Sequence, residues 1–386
     1  MLIDVSRLVG RLLKKRIPTG IDRVGLAYVR HYGARARAVL TISGVTLVCA
    51  EDESQALFTW LLDSGRSGPP WRAFTRSLVT GAGKGSTKHE VFLNTGHTGL
   101  NSPRYIGMLK NRGVNPIFLI HDLIPITHPE YCRAGEQQRH QTRLRHALSI
   151  GSGIICNSQA TLDALSYHCR GIGIPMPPAV AAPLASDPLP GTRGIRPIRE
   201  PYFVLLSTIE PRKNHMMILQ AWQRIVERRG AKAPRLVLVG QTGWECEHVT
   251  RFLDRSDFLK PYVRHEPRCT DDQLMSWLGH AQALLFPSLV EGYGMPVVEA
   301  LAHGVPVIAS NLKVFREFAG EIPAYADPLD TLRWIDLIDS YCDDADTDRR
   351  RQLHRMDTFN APSWSDHFSR VDELIGRIAP REPAYG

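Results

Sequence analysis

Residues 286–301 of this 386-residue chain read Phe-Pro-Ser-Leu-Val-Glu-Gly-Tyr-Gly-Met-Pro-Val-Val-Glu-Ala-Leu. The apolar run Ala283–Pro287 is typical of a buried strand, and Gly292 and Gly294 form a Gly-x-Gly turn after it. Pro296 follows at a position that suits the first turn of a helix, where proline is tolerated. This order of strand, glycine turn and helix predicts one repeating unit of a parallel α/β sheet.

The glycine turn and the acids around it suggest a binding site. The turn lets the backbone approach a ligand closely, and backbone N–H groups at a helix start can hold an anion. Gly292 and Gly294 allow the close approach, and the N–H groups concerned are those of Tyr293, Gly294 and Met295. Glu291 precedes the turn and Glu299 follows it by a little over one helical turn, so both carboxylates can accept hydrogen bonds from ligand hydroxyls. We expect Glu299 to lie at the surface of a cleft. Two solvated acids around an ordinary turn are the alternative.

The same alternation of apolar runs and helix-like segments continues along the chain and predicts two α/β halves. Strands are predicted at Leu2–Leu8, Ala38–Ala50, Val91–Asn94, Asn115–Ile120, Gly153–Cys156, Tyr202–Ser207, Arg235–Gly240, Val263–His265, Ala283–Pro287 and Val305–Ser310. Helices include Asn214–Arg229 and Asp271–His280, the second capped by Thr270. The proline- and glycine-rich residues from Pro183 to Pro201 predict a linker between the halves. A cleft between two such halves would place ligands at the carboxyl ends of the strands.

Positive charge is concentrated in the first half of the chain. Residues 1–195 contain 23 Lys and Arg against 12 Asp and Glu, a balance of +11, whereas the remainder contains 24 against 27, a balance of −3. This asymmetry predicts an anionic partner: nucleic acid, anionic lipid or a phosphorylated substrate. No basic groove interleaved with aromatic residues occurs outside Ser64–Lys88, which disfavours nucleic acid.

Two basic segments favour contact with an anionic membrane. Cations surround apolar residues near the N-terminus, and the Ser64–Lys88 loop adds Trp71 and Phe74 among further cations. The residues near the N-terminus are Arg11, Lys14, Lys15, Arg16 and Arg23, with Leu12, Leu13 and Ile17 between them. A solvated helix face and a disordered loop are the alternative explanation.

Cysteine usage and hydropathy point to a cytoplasmic protein. The seven cysteines are scattered without CxxC spacing, so neither a disulfide framework nor a zinc site is expected. We expect no signal peptide and no membrane span, since no apolar run reaches about 18 residues. Asp344-Ala345-Asp346 has a DxD form but stands in an acidic segment, and we interpret it as solvated surface rather than a metal site.

The spacing from Glu291 to Glu299 resembles the E-x7-E signature of the retaining glycosyltransferases of family four. The surrounding residues match the family pattern Pro-Ser-x-x-Glu-Gly-aromatic-Gly-x-Pro-x-x-Glu-Ala, and Gly304–Ser310 and Glu317–Gly320 continue it. The resemblance implies that Glu291 contacts the donor sugar and that Glu299 holds the ribose hydroxyls of the donor.

A second segment, Thr208–His215, resembles the family motif E-x-R-K-N. The resemblance implies that Lys213 binds the donor diphosphate, with Arg212 as a further candidate, since an ammonium and a guanidinium suit phosphate oxygens. Many family members carry an arginine six residues before this lysine, where this chain has Ser207. The sequence from Val239 to Trp244 is also similar to a family pattern, Val-Gly-x-x-Gly-Trp.

The first half carries looser similarities. His121-Asp122 follows a predicted strand, and the resemblance implies that His121 hydrogen-bonds the transferred sugar. Gly20, in the segment Pro18–Arg23, resembles the glycine turn that passes close to the donor phosphate. Asn157-Ser158 matches a serine turn, and Ser363-Trp364-Ser365 opens a helix like the family's closing helix.

Taken together, the resemblance implies a GT-B fold: two Rossmann-like domains with parallel sheets facing across a cleft. The implied domains are an acceptor-binding domain over residues 1–190, a donor-binding domain over 191–362, and a C-terminal helix over 363–386 that returns to the first domain. The implied activity is retaining hexosyl transfer from a GDP- or UDP-sugar, with no cofactor and no metal, and Gly240–Trp244 favours mannose. The acceptor would be a saccharide or a polyprenyl-linked sugar of envelope polysaccharide or glycolipid synthesis. A nucleotide-sugar epimerase of the same fold is the alternative, although it lacks the E-x7-E spacing.

Overall fold

The computed structural model describes residues 1–16, 18–42, 44–70, 88–185, 194–342 and 347–378. These residues form two compact units. The first comprises Met1–Ile126, Gly135–Leu184 and the residues from Trp364 onward; the second comprises Thr127–Ala134 and Ala185–Ser363. The unit boundaries lie beside the predicted domain boundaries, except that Thr127–Ala134 groups with the second unit.

The first unit contains a sheet of seven strands in the order β3-β2-β1-β4-β5-β6-β7. The strands are parallel apart from β3, which pairs antiparallel with β2. Their bounds are β1 Leu2–Asp4, β2 Arg37–Ile42, β3 Val45–Val48, β4 Val91–Asn94, β5 Asn115–Ile120, β6 Gly153–Cys156 and β7 Ala179–Ala181. The helices around them are Ser6–Leu13, Gly20–Tyr32, Glu51–Leu62, Pro103–Arg112, Glu136–Ile150, Gln159–Ile172 and Trp364–Ile378, with a 3₁₀ turn at Gly33–Arg35.

The second unit contains a sheet of six parallel strands in the order β10-β9-β8-β11-β12-β13. Their bounds are β8 Tyr202–Leu206, β9 Arg235–Val239, β10 Val263–Glu266, β11 Leu284–Phe286, β12 Val307–Ser310 and β13 Ala324–Ala326. The helices are His215–Arg229, Glu247–Arg255, Asp271–Gly279, Met295–Ala302, Lys313–Ala319, Thr331–Tyr341 and Thr347–Met356, with 3₁₀ turns at Pro211–Lys213 and Gly230–Lys232. This is the doubly wound strand order, whose direction reverses between β8 and β11.

Short helical segments also occur at Ile124–Thr127 and Pro129–Tyr131, where the chain passes from the first unit to the second. In the second unit, Trp222 and Trp334 are fully buried in one hydrophobic core that the helices form against the sheet. Thr270 caps the helix Asp271–Gly279 as predicted: its Oγ1 accepts a hydrogen bond from Gln273 N at 3.2 Å. The start of this helix could therefore be predicted from its capping residue alone.

Two predicted strands were wrong in extent. The first strand ends at Asp4 and not at Leu8, because the Asp4 carboxylate accepts a hydrogen bond from Ser6 N at 2.9 Å where the helix Ser6–Leu13 begins. The predicted strand Ala38–Ala50 is a hairpin of β2 and β3, since Gly44 adopts a φ of +81° that suits glycine. The short strands β7 and β13 were not predicted.

The helix Trp364–Ile378 packs in the first unit. Its His367 ring lies against Tyr28, with the Tyr28 hydroxyl 2.9 Å from His367 Nε2, and Arg370 Nη1 donates to the Ala181 carbonyl at 3.1 Å. These contacts link the C-terminal helix to the helix Gly20–Tyr32 and to strand β7.

Three sequence features lie outside the described residues. They are Ile17, the greater part of the Ser64–Lys88 loop with Trp71 and Phe74, and the Asp344-Ala345-Asp346 segment. Among the described residues, no helix combines the length and the apolar character needed to cross a bilayer.

Candidate functional site

Two loops meet at the carboxyl edge of the second sheet because β8 and β11 are neighbours. The loop after β8 carries the 3₁₀ turn Pro211–Lys213, and the loop after β11 carries Ser288 to Gly294. Leu289 N donates to the Arg212 carbonyl at 2.8 Å, which fastens one loop to the other. This edge lies at the point where the strand order reverses, the usual ligand position in such sheets.

Glu291 is the centre of a buried ion-pair cluster. Its carboxylate contacts Lys213 Nζ, accepts from Arg212 Nη1 at 2.7 Å, and accepts from Ser288 Oγ at 2.7 Å. The side chains of Glu291 and Lys213 are 7% and 10% exposed. The structure therefore brings together the two predicted cations and one of the two predicted carboxylates, which are 78 to 79 residues apart in the chain.

The cluster shifts the pKa values of both Glu291 and Lys213. Burial alone would raise the pKa of Glu291, but the charges of Arg212 and Lys213 and the hydrogen bonds from Lys213 and Ser288 lower that pKa to about 2. Burial and the neighbouring Arg212 lower the pKa of Lys213, whereas Glu291 opposes that shift. The carboxylate is thus ionised throughout the neutral range.

A second layer holds Arg212 in place. Glu210 accepts from Arg212 Nη2 at 2.8 Å and from Trp244 Nε1 at 3.1 Å. The Trp244 loop is itself tied to the loop after β8, since Gly243 N donates to the Ile209 carbonyl at 3.0 Å. A Cβ at Gly243 would lie 2.6 Å from that carbonyl oxygen, which explains why glycine stands there. The Gly240–Trp244 segment thus supports the cation pair.

The glycine turn ends in a cap for the helix Met295–Ala302. Gly294 is the N-cap, with φ +111°, and a Cβ there would lie 2.5 Å from Cε1 of Phe315. Tyr293 is buried, with its ring 5.1 Å from that of Phe318, whereas Gly292 and Met295 are half-buried. The start of this helix is therefore next to the ion-pair cluster in the chain and fixed by packing.

The expectation that Glu299 lies at the surface of a cleft was wrong. Its residue is only 3% exposed, because position 299 falls on the buried run Val297–Leu301 of the helix. A buried carboxylate is costly unless it is hydrogen-bonded or paired. Substitutions at Glu299 must therefore preserve its shape if they are to leave the fold intact.

His121 lies in the first unit, directly after β5, and is 6% exposed. Its Nε2 is 2.8 Å from the Thr95 carbonyl, and Asn157 Nδ2 donates to the His121 carbonyl at 2.8 Å. Because a carbonyl only accepts, Nε2 carries the proton; burial lowers the pKa of the ring. A neutral ring with this tautomer has its acceptor at Nδ1. Ser158, next to Asn157, caps the helix Gln159–Ile172: its Oγ accepts from Thr161 N at 3.0 Å.

Two further histidines were not predicted from the sequence: His97 lies beside His121, and His140 lies beside His97. The His97 ring centroid is 5.4 Å from that of His121 and 6.1 Å from that of His140. Burial lowers the pKa of both His97 and His140, and His97 Nε2 is 2.7 Å from the Leu119 carbonyl. His97 follows β4, the neighbour of β5, so the rule that strand ends share an edge could have indicated it.

Gly20 begins the helix Gly20–Tyr32 and is exposed. The turn before it is fixed by Asp22, which accepts from Thr19 N at 2.7 Å and pairs with Arg7 and Arg11 at 2.7 and 2.6 Å. Arg11 is therefore engaged inside the unit. Among the described residues, no group of three His, Cys, Asp or Glu side chains is arranged to hold a metal ion.

The family model described as "Glycosyl transferases group 1" matches residues 194–352. These residues belong to the glycosyl transferases group 1 family. The matched range contains the ion-pair cluster, the glycine turn and Glu299. The group 1 domain thus coincides with most of the second unit.

Relatives with assigned functions align to part of this chain. O-antigen chain mannosyltransferase B of Escherichia coli is 26% identical over 236 residues, which cover 58% of this chain and 60% of that protein. O-antigen chain mannosyltransferase RfbU of Salmonella typhimurium is 29% identical over 142 residues, covering 36% and 38%. Against serotype-specific mannosyltransferase WbdA of E. coli, the match covers only 30% of the relative. The chain thus spans about three fifths or less of these relatives.

Solved structures resemble the whole chain. Anabaena Alr3699/HepE in complex with UDP-glucose superposes with a TM-score of 0.65 at 14% identity, covering 98% of this chain and 97% of that one. Sucrose-phosphate synthase from Thermosynechococcus elongatus gives 0.58 at 16% identity, covering 93% and 92%. At these identities the likeness shows the fold, and it confirms the prediction of a GT-B fold with two Rossmann-like domains.

Proposed function

We propose that this protein is a retaining glycosyltransferase that transfers a hexose, mannose in the first instance, from a GDP- or UDP-sugar to a saccharide or lipid-linked acceptor. Envelope polysaccharide or glycolipid synthesis in the cytoplasm would be its setting. The observation that carries the proposal is the buried cluster of Lys213, Arg212 and Glu291 beside the Gly294-capped helix, within a group 1 domain. The mannosyltransferases among the relatives support the choice of sugar.

Departure of the nucleoside diphosphate is the demanding step in this reaction, because the leaving group carries away negative charge. The Lys213 ammonium, the Arg212 guanidinium and the helix start at Met295 all present positive charge at the same sheet edge. Such preorganised charge stabilises the transition state without reorganisation during the reaction. No metal ion is needed in this scheme and no cofactor is called for.

Retention follows if the acceptor attacks the face from which the diphosphate departs. The bond between the anomeric carbon and the phosphate oxygen breaks, the acceptor oxygen bonds to that carbon, and its proton passes to the departing phosphate. In this scheme Glu291 and His121 orient the sugar hydroxyls; the neutral His121 ring would accept a hydrogen bond at Nδ1. Gly20 would admit the donor phosphate close to the backbone of the first unit.

An assay of free nucleoside diphosphate tests this proposal. GDP-mannose, UDP-glucose and UDP-N-acetylglucosamine are incubated with mannose-terminated and polyprenyl-linked acceptors, with and without EDTA. We expect diphosphate release to require an acceptor and to be unaffected by EDTA. An anomeric product inverted relative to the donor, or EDTA inhibition reversed by Mg²⁺, would contradict retention or metal independence. Epimerised sugar formed without acceptor would instead support the epimerase alternative.

The role of Glu299 can be tested by Glu299→Gln, which preserves the buried shape. We expect nucleoside diphosphate affinity to fall about 10- to 100-fold, because a hydrogen bond to a charged group contributes about 1.5–3 kcal/mol. Calorimetry with the diphosphate and with its 2′-deoxy and 3′-deoxy forms measures this. The variant should discriminate between these ligands less than the wild type does. Equal discrimination by the two proteins would show that Glu299 does not hold the ribose.

Peripheral contact with an anionic membrane is part of the proposal. Lys14, Lys15 and Arg16 are exposed at the end of the helix Ser6–Leu13, and Leu13 beside them is 44% exposed. A cavity of about 780 Å³ opens there, with apolar walls from residues such as Leu12. Cations ringing apolar groups suit a headgroup layer, and each contributes about 1 kcal/mol near an anionic surface.

Vesicle co-sedimentation tests this contact. Binding should increase with the fraction of anionic lipid, decrease at high salt, and weaken by about two orders of magnitude when Lys14, Lys15 and Arg16 become serine. The matched control replaces three exposed cations of the second unit, Arg224, Lys232 and Arg251, and should bind as the wild type does. Vesicle binding that does not depend on salt concentration, or an equal loss of binding in both triple variants, would show that this surface is not the membrane contact.

A further inference from the structure

The cations assigned to the donor diphosphate already have an anionic partner within the protein. Lys213 contacts the Glu291 carboxylate, and Arg212 donates to the same carboxylate at 2.7 Å. A diphosphate that binds these two cations must therefore compete with Glu291. We propose that Glu291 is an internal counter-ion of the donor site, which the diphosphate displaces and which is thereby delivered to the sugar.

The surroundings of Glu291 suit an exchange of partners. Arg212 has a second carboxylate, Glu210 at 2.8 Å, which keeps the guanidinium in position when Glu291 leaves. Lys213 lies 5.0 Å from the centre of the Phe286 ring, so its ammonium is held from a second side as well. The cations are thus preorganised before and after the exchange.

The Ser288 hydroxyl anchors the Glu291 carboxylate during this exchange. Its Oγ donates to Glu291 Oε1 at 2.7 Å, and Ser288 itself is 1% exposed between β11 and the glycine turn. A carboxylate released by the cations keeps this hydrogen bond and stays at the site. The side chain can therefore pass from a cation partner to a hydroxyl partner without leaving the pocket.

This exchange has a functional consequence. Buried cations without an anion are costly, and Glu291 removes that cost whenever no diphosphate is bound. The same competition weakens the binding of the nucleoside diphosphate product and so favours its release. This inference rests on the proposed function, because it assigns the diphosphate to Lys213 and Arg212.

Calorimetry with GDP and UDP, without any sugar, tests the inference. Glu291→Gln removes the competing charge but keeps a side chain of the same shape that can accept from Ser288. We expect the variant to bind the diphosphate about tenfold or more tightly than the wild type, while its transfer activity falls. Ser288→Ala should leave the diphosphate affinity close to that of the wild type, because the hydrogen bond to Glu291 is present before and after the exchange, whereas its transfer activity should fall because the released carboxylate is no longer held at the site.

The control is Glu200→Gln, which makes the same change of charge at the opposite edge of the same sheet. Glu200 lies just before β8 and pairs with Arg235 at 3.2 Å, at the amino ends of the strands. It should bind the diphosphate as the wild type does. An equal gain in both variants would show a general charge effect and would overturn the counter-ion role.

The two levels of the hypothesis fail differently. If the wild type binds GDP or UDP but Glu291→Gln binds it equally or more weakly, Glu291 is not a counter-ion and the proposed function stands. If neither protein binds either diphosphate, although circular dichroism shows both folded, the proposed function itself fails. The counter-ion role would fall with it.

Discussion

Replacing Lys213 with alanine should lower kcat/KM for the nucleotide-sugar donor about 100- to 1000-fold. Loss of one preorganised group that stabilises developing negative charge costs about 2.7–4 kcal/mol in enzymes, and Lys213 supplies a full charge in a buried setting. Its residue is 8% exposed, so water would replace the ammonium poorly. Initial rates over a range of donor concentrations, with the acceptor saturating, measure the effect.

Two further variants make this result interpretable. The fold should survive in Lys213→Ala, because Glu291 keeps its hydrogen bonds from Arg212 and Ser288, both at 2.7 Å. Lys232→Ala removes an exposed cation of the same unit and should leave kcat/KM unchanged. Lys213→Arg should recover part of the activity, since it restores charge with altered geometry. A loss below threefold in Lys213→Ala would place the diphosphate elsewhere.

Replacing Gly294 with alanine should destabilise the second unit by roughly 2–5 kcal/mol. The residue has φ +111°, which costs a residue with a Cβ about 1–2 kcal/mol, and crowding a packed core costs about 1–3 kcal/mol more. The clash is with Phe315, whose ring is fully buried and 5.6 Å from that of Phe286, so it cannot easily move aside. Urea denaturation followed by tryptophan fluorescence measures the change, and nucleotide binding should be lost in parallel.

Gly173→Ala separates the two contributions. Gly173, in the first unit, also has a left-handed backbone with φ +68°, but a Cβ there would have no heavy atom within 4 Å, so this variant reports the backbone cost alone. We expect its free energy of unfolding to fall by about 1 kcal/mol. If Gly294→Ala costs no more than Gly173→Ala, the contact with Phe315 is not what demands glycine in the turn.

Local sequence patterns determined much of the secondary structure of this protein. Strands β4, β5 and β6 have the predicted bounds, and strands β8 to β12 of the second unit differ from prediction by at most two residues at either end. In the sequence, a buried parallel strand is a short apolar run between turn residues, and capping residues mark the start of a helix. The placement of Lys213 and Glu291 in loops after strands followed from the same local patterns, whereas their roles at the site were implied by the resemblance to family four.

Tertiary structure decided which side chains meet. Lys213 and Glu291 contact one another only because β8 and β11 are neighbours in the order β10-β9-β8-β11-β12-β13, and a local pattern does not specify strand order. Pairing between β4 and β5 likewise brings His97 beside His121. Burial of Glu299 depends on which helix face meets the sheet. Sequence periodicity and capping act within about one helical turn or one strand, whereas charge pairing and burial depend on residues that are distant in the chain.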